Sequence, residues 1–393
     1  MAMSTTPEGE VIVEAARALT PQIRAAGDEI EAGRRLPEPV VDEMKRAGVF
    51  RMAMPREWGG PEVDPLTQIR VIEALSYADG SVGWCAMINS DGGYFSAYLD
   101  PSVAREMYRD LDAPTGGSLL FTGHAEVIDG GYRVNGRWPF VSGCTHCDWL
   151  IFSCNVIEHG APRTMPNGMP ERRFCFVPAR ETEVLDTWYT TGLRGSGSHD
   201  VALKDVFVPS ERTYGFPSPP RRKGALYAYP LMFAYNLPGV TIGIARAAID
   251  SFVEVAPRKQ VTMSMLTGKP VMLRDEAYAQ NAAARAEALV GSARDYLFAR
   301  IDEIWQTLLA GAQPTPKQRA LYRIAIAHAH AVCIEAVEGL FKAYGGGAVY
   351  TSSPFDRCLR DLLTINQHTM NSLKIYETAG RVLLGFDLHD PLF

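Results

Sequence analysis

Residues 135–149, NGRWPFVSGCTHCDW, are the stretch of the sequence on which the interpretation of the fold depends. The stretch opens at a turn signal, Asn135-Gly136, and continues with aromatic and β-branched residues that are typical of strands. Its middle holds a small polar patch, Ser142-Gly143, before an apolar strand begins at Leu150. The pattern predicts a β-hairpin. Its polar centre is either a functional site or a loop whose polar groups satisfy one another.

The composition of the whole chain predicts a soluble globular protein with more than one domain. The chain has 393 residues, of which 47% are hydrophobic and 21% are charged, and its net charge is −6. This length exceeds what a single hydrophobic core serves, so two or three domains are expected. The chain lacks a basic run with interleaved aromatic residues, which argues against nucleic acid as a partner.

The sequence also argues against secretion and against a membrane partner. Its first residues lack the charged segment and the apolar run of a secretory signal. No stretch approaches the roughly 18 to 20 uninterrupted apolar residues that span a bilayer. The seven cysteines are odd in number and scattered, so they do not make a disulfide framework. We therefore expect a cytoplasmic protein with free thiols.

The pattern of hydrophobic residues changes twice along the chain, which predicts three domains. Helical spacing dominates residues 1–112, for example from Val11 to Ile23. Residues 113–224 carry closely spaced glycine turns between short β-prone runs, as in a small barrel or sandwich. Four long helical segments in residues 225–393 predict an antiparallel bundle, and the pattern of the last segment is compatible with a break near its middle. The predicted fold class is α+β.

Common metal and nucleotide motifs are missing from the sequence. Cys144 and Cys147 form a CxxC pair, but no second pair follows at ligand spacing, so we expect ordinary thiols and no metal site. No GxGxxG motif follows a strand. Two glycine-rich loops remain, residues 192–199 and Gly345-Gly346-Gly347. The second is either a helix cap with a turn or a close backbone approach to a phosphate or a ring.

Taken in order, the motifs resemble those of the acyl-CoA dehydrogenase fold, and they span nearly the whole chain. The motifs are EWGG from Glu57, GGYRVNG at 130–136, WPFVS at 138–142, GLRGSGS at 192–198, DVFVP at 205–209, RKQ at 258–260, Gly345-Gly346 and Arg360-Asp361. The resemblance implies an N-terminal helical domain, a central β-barrel or sandwich and a C-terminal four-helix bundle.

Within this fold the residues favour a monooxygenase over a dehydrogenase. An acyl-CoA dehydrogenase needs a carboxylate base, which in the family lies in a YEG stretch after the Arg-Asp pair. Here that stretch is Gln367-His368-Thr369, and the other usual region, residues 213–249, contains no acid. Glu377 is a remaining candidate, about two helical turns later. The alternatives are an acyl-CoA dehydrogenase-like flavoenzyme with a displaced base and a non-catalytic binding protein.

The chain resembles the two-component flavin-dependent monooxygenases of this fold. The resemblance implies that a separate flavin reductase supplies reduced FMN or FAD. It also implies that molecular oxygen forms a flavin C4a-hydroperoxide, which hydroxylates an aromatic or polycyclic small molecule. The implied catalytic residues are Ser142, near the flavin N5, and His368, as a base or a hydrogen-bond donor. His368 follows Arg360 by eight residues, a little over two helical turns, so helical spacing predicts that the two lie on broadly the same side.

The same resemblance implies which residues bind the flavin. Trp138 and Phe140 would pack on or beside the isoalloxazine, next to Ser142 and Gly143. Residues Arg258, Lys342, Gly345 and Gly346 would hold the pyrophosphate across a subunit interface of a homotetramer, with Lys342 in place of the usual glutamine.

The chain departs from several phenol hydroxylases of this group at one position. Those enzymes carry a second histidine where this chain has Asp91-Gly92-Gly93. If that histidine is needed to ionise a phenol, the departure argues against a simple phenol as the substrate. N-hydroxylation, sulfur oxidation and hydroxylation of a polycyclic compound remain open.

Overall fold

The structure, a computed structural model, describes residues 6–229, 236–372 and 374–388. Contacts group the chain into two compact units, described separately below. The first unit is Met1–Gln68, Cys85–Thr190 and Arg194–Phe233, and the second is Ile69–Trp84, Thr191–Leu193 and Ala234–Phe393. The three-domain division at residues 1–112, 113–224 and 225–393 stays a prediction.

Short helices make up the N-terminal part of the chain. Their bounds are α1 (Pro7–Ala18), α2 (Thr20–Ala25), α3 (Gly27–Gly33), α4 (Glu38–Arg46), α5 (Pro65–Ala78), α6 (Gly80–Asn89), α7 (Gly92–Ser96) and α8 (Pro101–Met107). Local sequence explains where they begin. Thr6 caps α1 by accepting from the Gly9 N–H at 3.2 Å, and Asp100 caps α8 by accepting from the Ser102 N–H at 2.9 Å.

The first unit also contains the eight-stranded sheet. Its strands are β1 (Thr115–Ile128), β2 (Gly131–Val141), β3 (Trp149–Glu158), β4 (Ala161–Pro162), β5 (Arg172–Pro178), β6 (Glu183–Leu185), β7 (His199–Pro209) and β8 (Thr213–Phe216). The order is β6-β7-β2-β1-β3-β5-β8, with β4 paired to β3. Strands β1 and β3 are parallel, and the other pairs are antiparallel.

The hairpin predicted at Asn135-Gly136 is wrong in its position. The β1–β2 turn lies earlier, where Gly130 has a φ of +75°. Asn135 lies inside β2, opposite His124, and the pairing with β7 shifts register next to it. The Asn135 side chain accepts from the backbone N–H of Asp205 at 2.8 Å. A β-bulge therefore lies where the sequence pattern predicted a turn.

Trp138 is at the centre of the sheet's hydrophobic core. Its indole is fully buried, its ring centre lies 4.6 Å from that of Phe152, and its Nε1 donates to the Ser153 carbonyl at 2.9 Å. Gly123 lies against the ring, and a Cβ built there would meet the indole at 1.8 Å. A glycine at residue 123 is therefore required by the packing of Trp138.

The second unit is helical apart from one hairpin. Its elements are α9 (Leu237–Val255), β9 (Gln260–Met263), β10 (Pro270–Met272), α10 (Ala277–Leu309), α11 (Pro316–Tyr344), α12 (Pro354–Ile365) and α13 (Lys374–Leu383). The four predicted helical segments are confirmed, and the expected break in the last one separates α12 from α13. The predicted α+β class is confirmed as well, since long helices and an eight-stranded sheet are both present.

One helical stretch of the described chain, residues 316–349, is long and apolar enough to cross a membrane by length and composition alone. However, 56% of its most apolar window is buried inside the protein. The capping box at Thr315 and Gln318 gives it an ordinary aqueous N-terminus. These features are those of a core helix in a helical bundle.

Candidate active site

Three buried serines in the first unit form a chain of hydroxyl groups, which we name the serine cluster. Ser142 Oγ lies 2.7 Å from Ser198 Oγ, which lies 2.7 Å from Ser196 Oγ. Ser142 directly follows β2, and the other two belong to the glycine-rich loop before β7. In each of the two contacts either hydroxyl can donate, so the three side chains form a continuous hydrogen-bonded row.

Gly143 connects the serine cluster to a second polar group. Its N–H donates to the Ser196 carbonyl at 2.9 Å, and its φ is +70°. Asn89, the last residue of α6, donates from Nδ2 to the Ser142 carbonyl at 3.1 Å. The Asn89 Oδ1 lies 3.0 Å from the His146 Nε2. The polar centre of residues 135–149 is therefore a folded loop that is hydrogen-bonded to both Ser196 and Asn89.

Burial gives the groups of this loop unusual acidities. Desolvation lowers the pKa of His146 to about 4, with a smaller contribution from Lys45. Desolvation also raises the pKa of the Cys144 thiol to about 12. The imidazole is therefore neutral and the thiol protonated around neutral pH. Among the residues that the structure describes, no cluster of metal-ligating side chains is present.

Two aromatic residues of β2 are placed differently. Trp138 is wholly enclosed in the core, so it offers no exposed ring face within the first unit. Phe140 is 62% exposed and has a positive φ of +61°. Its ring stands perpendicular to that of Trp188, with centres 6.3 Å apart. Of the two, only Phe140 presents a ring surface on which a planar cofactor could stack.

In the second unit, the Arg360-Asp361 pair holds residues 191–193. Asp361 Oδ1 accepts from the Leu193 N–H at 2.6 Å, and Arg360 Nη1 donates to the Thr191 carbonyl. A Cβ at Gly192 would meet the Arg360 carbonyl oxygen at 2.1 Å. This motif pair therefore positions the start of the glycine-rich loop. Asp361 is buried, which fits a structural role.

His368 lies beyond the end of α12, in the connection to α13. The expectation from helical spacing, that it shares a side with Arg360, does not apply there because the helix ends at Ile365. The imidazole meets the ring of Trp84 edge-on, with centres 5.7 Å apart. Its Nδ1 accepts from the Met370 N–H at 3.3 Å.

Two features set the chemistry of His368. Desolvation, together with a smaller contribution from the positive charge of Arg323, lowers its pKa to about 4. The ring is therefore neutral around neutral pH. Because Nδ1 accepts from the backbone, the proton of the neutral ring belongs on Nε2. The geometry favours a hydrogen-bond donor at His368 over a proton acceptor.

His330 on α11 is the second member of what we call the histidine pair, His330 and His368. Its Nδ1 lies 2.5 Å from the Thr241 hydroxyl of α9, and its Nε2 has no hydrogen-bond partner in the described part of the chain. Burial lowers its pKa to about 3, and His368 contributes to the same effect. The two imidazoles therefore influence each other electrostatically.

A cavity of about 340 Å³ in the second unit contains three of the predicted flavin-binding residues, Lys342, Gly345 and Gly346. It is also lined by Lys259, whose Nζ lies 3.9 Å from the ring centre of Tyr344. Two lysines and a glycine turn make a donor set suited to phosphate oxygens. Arg258 is not among the lining residues, and its guanidinium pairs with Glu254 at 2.7 Å. The lining residue Lys342 makes a similar pair with Glu338 at 2.7 Å.

Sequence reasoning missed several residues that the structure brings into these groups. Asn89 carried no signal, because a single Asn at a helix end is ordinary. Lys259 is adjacent to the expected Arg258, and only the backbone direction after α9 decides which side chain faces the cavity. Glu377, the remaining candidate for a carboxylate base, is exposed on α13.

Comparison with known proteins gives the family. The acyl-CoA dehydrogenase N-terminal domain model matches residues 6–99, and the C-terminal domain model matches residues 237–373. The indole-3-acetate monooxygenase of Acinetobacter baumannii is 30% identical over 367 residues, which cover 92% of this chain and 91% of that protein.

Two further relatives agree. The oxygenase component of the FADH(2)-dependent resorcinol hydroxylase from Rhizobium sp. is 28% identical over 383 residues, covering 93% of this chain and 91% of that protein. The crystal structure of the HsaA monooxygenase from M. tuberculosis has a TM-score of 0.88 and 26% identity, covering 98% of this chain and all of that one (100%). The chain therefore belongs to the acyl-CoA dehydrogenase family and, within it, to the two-component flavin-dependent monooxygenases, which use reduced flavin and molecular oxygen.

Proposed function

We propose that this protein is the oxygenase component that hydroxylates a small aromatic compound, with Ser142 and His368 as its catalytic residues. The observation that carries the proposal is His368, a neutral imidazole with its proton on Nε2, in the stretch where a dehydrogenase carries its carboxylate base. Such a group donates a hydrogen bond but does not remove an α-proton. The displaced-base alternative loses its candidate because Glu377 is exposed.

Reduced flavin, when bound, supplies the activation of molecular oxygen and the transfer of one oxygen atom to the substrate. We propose that Ser142, Gly143 and the exposed Phe140 contact its ring system. The serine cluster would hold the Ser142 hydroxyl in position beside the flavin, and Trp138 would support β2 from inside the core. The His368 Nε2–H would hold an oxygen atom of the substrate or of the activated oxygen in place.

The phosphate end of the flavin belongs, in this proposal, to the cavity with Lys259, Lys342, Gly345 and Gly346. A Cβ at Gly345 or Gly346 would meet nothing within 4 Å, so this turn has open space for a ligand. Lys259 replaces Arg258 as the expected cation, because Lys259 lines the cavity and Arg258 does not. We propose further that the protein is a cytoplasmic homotetramer and receives reduced FMN or FAD from a separate reductase.

The Lys259 assignment predicts a simple difference in flavin affinity. Lys259→Ala should weaken binding of reduced flavin about tenfold, since a charged phosphate contact contributes roughly 1.4 kcal/mol. Arg258→Ala is the matched control and should change the dissociation constant less than about twofold, because its partner is Glu254. Anaerobic fluorescence titration measures both. Equal losses in the two variants would remove Lys259 from the site.

The function itself is tested with purified protein, reduced FMN or FAD and oxygen, using resorcinol and indole-3-acetate as aromatic probes. Hydroxylated product is quantified by mass spectrometry, and released hydrogen peroxide is measured in parallel. We expect product from at least one probe. In Ser142→Ala we expect less product and more hydrogen peroxide per oxygen consumed, because a dry, organised site protects the reaction from water. Oxidation of an acyl-CoA without a reductase, and no product from either probe, would overturn the proposal.

A further inference from the structure

Residues 186–189, which we name the aromatic loop, follow β6 in the first unit and form no helix or strand of their own. A segment without a ladder of backbone hydrogen bonds needs other partners for its N–H and carbonyl groups. In the aromatic loop several of these partners are side chains. The N–H groups of Thr187 and Trp188 both donate to His199 Nδ1, each at 3.2 Å. The Trp188 carbonyl accepts from Arg34 Nη1 at 3.4 Å.

Arg34 joins the aromatic loop to the end of α3. Its guanidinium makes a bidentate ion pair with Asp186, at 2.6 Å from Nη1 and 3.1 Å from Nη2. The same guanidinium lies over the ring of Tyr189, 3.9 Å from the ring centre, and the Tyr189 hydroxyl donates to Asp186 at 2.6 Å. An arginine fork fixes the direction of its partner as well as its distance, so this ion pair orients the loop.

A row of contacts runs from Arg34 through Trp188 to Phe140. The ring of Trp188 stands perpendicular to that of Phe140, with centres 6.3 Å apart. Both ends of the row have a left-handed backbone, with a φ of +52° at Arg34 and +61° at Phe140. This conformation costs free energy in any residue with a Cβ, and it is retained where the surrounding contacts require it. The row therefore ends at the exposed ring that, in the proposed function, contacts the flavin.

Solvent exposure limits what the ion pair contributes to stability. The side chain of Asp186 is 58% exposed and that of Arg34 is 19% exposed. Water screens such pairs, so they add little to the free energy of unfolding. The hydrogen bonds from Arg34 and Tyr189 nevertheless lower the pKa of Asp186 to about 2, so the pair is charged around neutral pH. Its contribution is therefore the geometry of the loop.

Building on the proposed function, in which Phe140 contacts the flavin ring, we propose that Arg34 and Asp186 are positioning residues of the flavin site. Their ion pair and the adjoining hydrogen bond from Arg34 fix the backbone of Trp188. The Trp188 ring in turn holds Phe140 in the orientation that receives the flavin. Breaking the ion pair releases the aromatic loop, so the binding surface is no longer preorganised and the flavin binds more weakly.

The test is anaerobic titration of the full-length protein with reduced FMN and with reduced FAD, followed by protein fluorescence. For the flavin that the wild type binds more tightly, Arg34→Ala should raise the dissociation constant about fivefold. Arg34→Lys keeps the charge but not the fork, so its effect should be nearly as large. Arg163→Ala is the control, because it removes another bidentate pair of the first unit, with Glu171 at 2.7 Å. It should change the constant less than about 1.5-fold.

A double-mutant cycle with Phe140 separates positioning from a general structural role. In a Phe140→Leu background, Arg34→Ala should add less than about a 1.5-fold change, because the ring that Arg34 positions is gone. The same fivefold factor in both backgrounds would show that Arg34 acts by another route and would overturn the proposal. An unchanged dissociation constant in Arg34→Ala would overturn it as well.

A second variant and the product assay complete the experiment. If Arg34→Ala does not fold, Asp186→Asn takes its place, because it removes the charge, keeps the size of the side chain and should weaken flavin binding about threefold. Wild-type affinity in Phe140→Leu would overturn both this proposal and the flavin contact at Phe140. The expected cycle without hydroxylated product from either aromatic probe would instead count against the proposed function alone.

Discussion

The serine cluster and the histidine pair differ in how far their buried polar groups are hydrogen-bonded within the protein. In the serine cluster, the hydroxyls of Ser142, Ser198 and Ser196 lie 2.7 Å apart and satisfy one another. In the histidine pair, His330 Nε2 has no partner in the described chain, and burial lowers the pKa of both rings. A satisfied network fixes geometry, whereas a desolvated one keeps its groups neutral. The difference indicates that the serine cluster is a scaffold that holds Ser142 in position, and that the histidine pair supplies a neutral hydrogen-bond donor.

The largest expected effect comes from breaking the scaffold at Gly143. A Cβ there would meet Asn89 Oδ1 at 2.2 Å and His146 Nε2 at 2.8 Å, and φ is +70°. Gly143→Ala should therefore lower the free energy of unfolding by about 3 kcal/mol or more, from strain and overpacking together. Urea denaturation followed by circular dichroism measures it.

Gly311→Ala is the matched control for backbone strain alone. Gly311 has a φ of +76°, and a Cβ there would meet nothing within 4 Å. We expect a loss of about 1–2 kcal/mol in this variant. If both variants lose the same amount, the packing of Asn89 and His146 around Gly143 contributes nothing to stability.

The next effect addresses the chemistry of the histidine pair. His368→Ala should reduce product formation about a hundredfold, because it removes the Nε2–H donor. Oxygen consumption should continue, with hydrogen peroxide as the product. His328→Ala, on α11 beside Tyr296, is the control and should retain normal product yield. An unchanged product yield in His368→Ala would place the chemistry elsewhere.

Lowering the pH should change the contribution of buried histidines to stability and leave that of the serine cluster unchanged. Histidines with a lowered pKa are neutral in the folded protein but take up protons in the unfolded chain below about pH 6.5. Stability should therefore be unaffected above that pH and fall as the pH decreases toward 4, the approximate pKa of His146 and His368. Serine hydroxyls do not titrate in this range, so the serine cluster adds nothing to the slope.

His330→Leu isolates one contribution to this acid sensitivity. Its removal should reduce the slope of unfolding free energy against pH by about 1.4 kcal/mol per pH unit between pH 6 and 4. The exposed His159, changed to Gln, is the control and should leave the slope as it is. Denaturation curves at several pH values provide the measurement. An unchanged slope in His330→Leu would mean that His330 is protonated in the folded protein.

The smallest effect is expected at the centre of the serine cluster. Ser198→Ala leaves the hydroxyls of Ser142 and Ser196 without their common partner, at a cost of about 1–2 kcal/mol. The exposed Ser210, changed to Ala, is the comparison and should cost less than about 0.5 kcal/mol, although its hydroxyl bonds the Gly130 carbonyl. Equal losses would show that the cluster is no more stabilising than a surface hydrogen bond.

Much of the fold follows from local sequence patterns. Helical spacing, glycine turns and proline positions predicted the helices, the β region and the break between α12 and α13. The turn at Asn135-Gly136 failed because a β-bulge and a hairpin turn favour the same residue types. Helical spacing failed for His368 because the helix ends three residues before it.

Only some residues of the candidate active site could be predicted from the sequence. Motif order indicated Ser142, His368 and the Gly345-Gly346 turn, because those residues belong to recognisable local patterns. Arg34, Asn89 and Lys259 acquire their significance from contacts that the local sequence does not specify. No spacing rule predicts them.

The sequence by itself therefore determined the class of fold, the family resemblance and the absence of a carboxylate in the YEG position. These depend on residue identity and on short-range periodicity, both of which are local properties. Only the tertiary structure decided that Trp138 is enclosed, that Lys259 and not Arg258 faces the cavity, and that His368 is neutral with its proton on Nε2. Burial and desolvation depend on what surrounds a group in space, and that information is not contained in its neighbours along the chain.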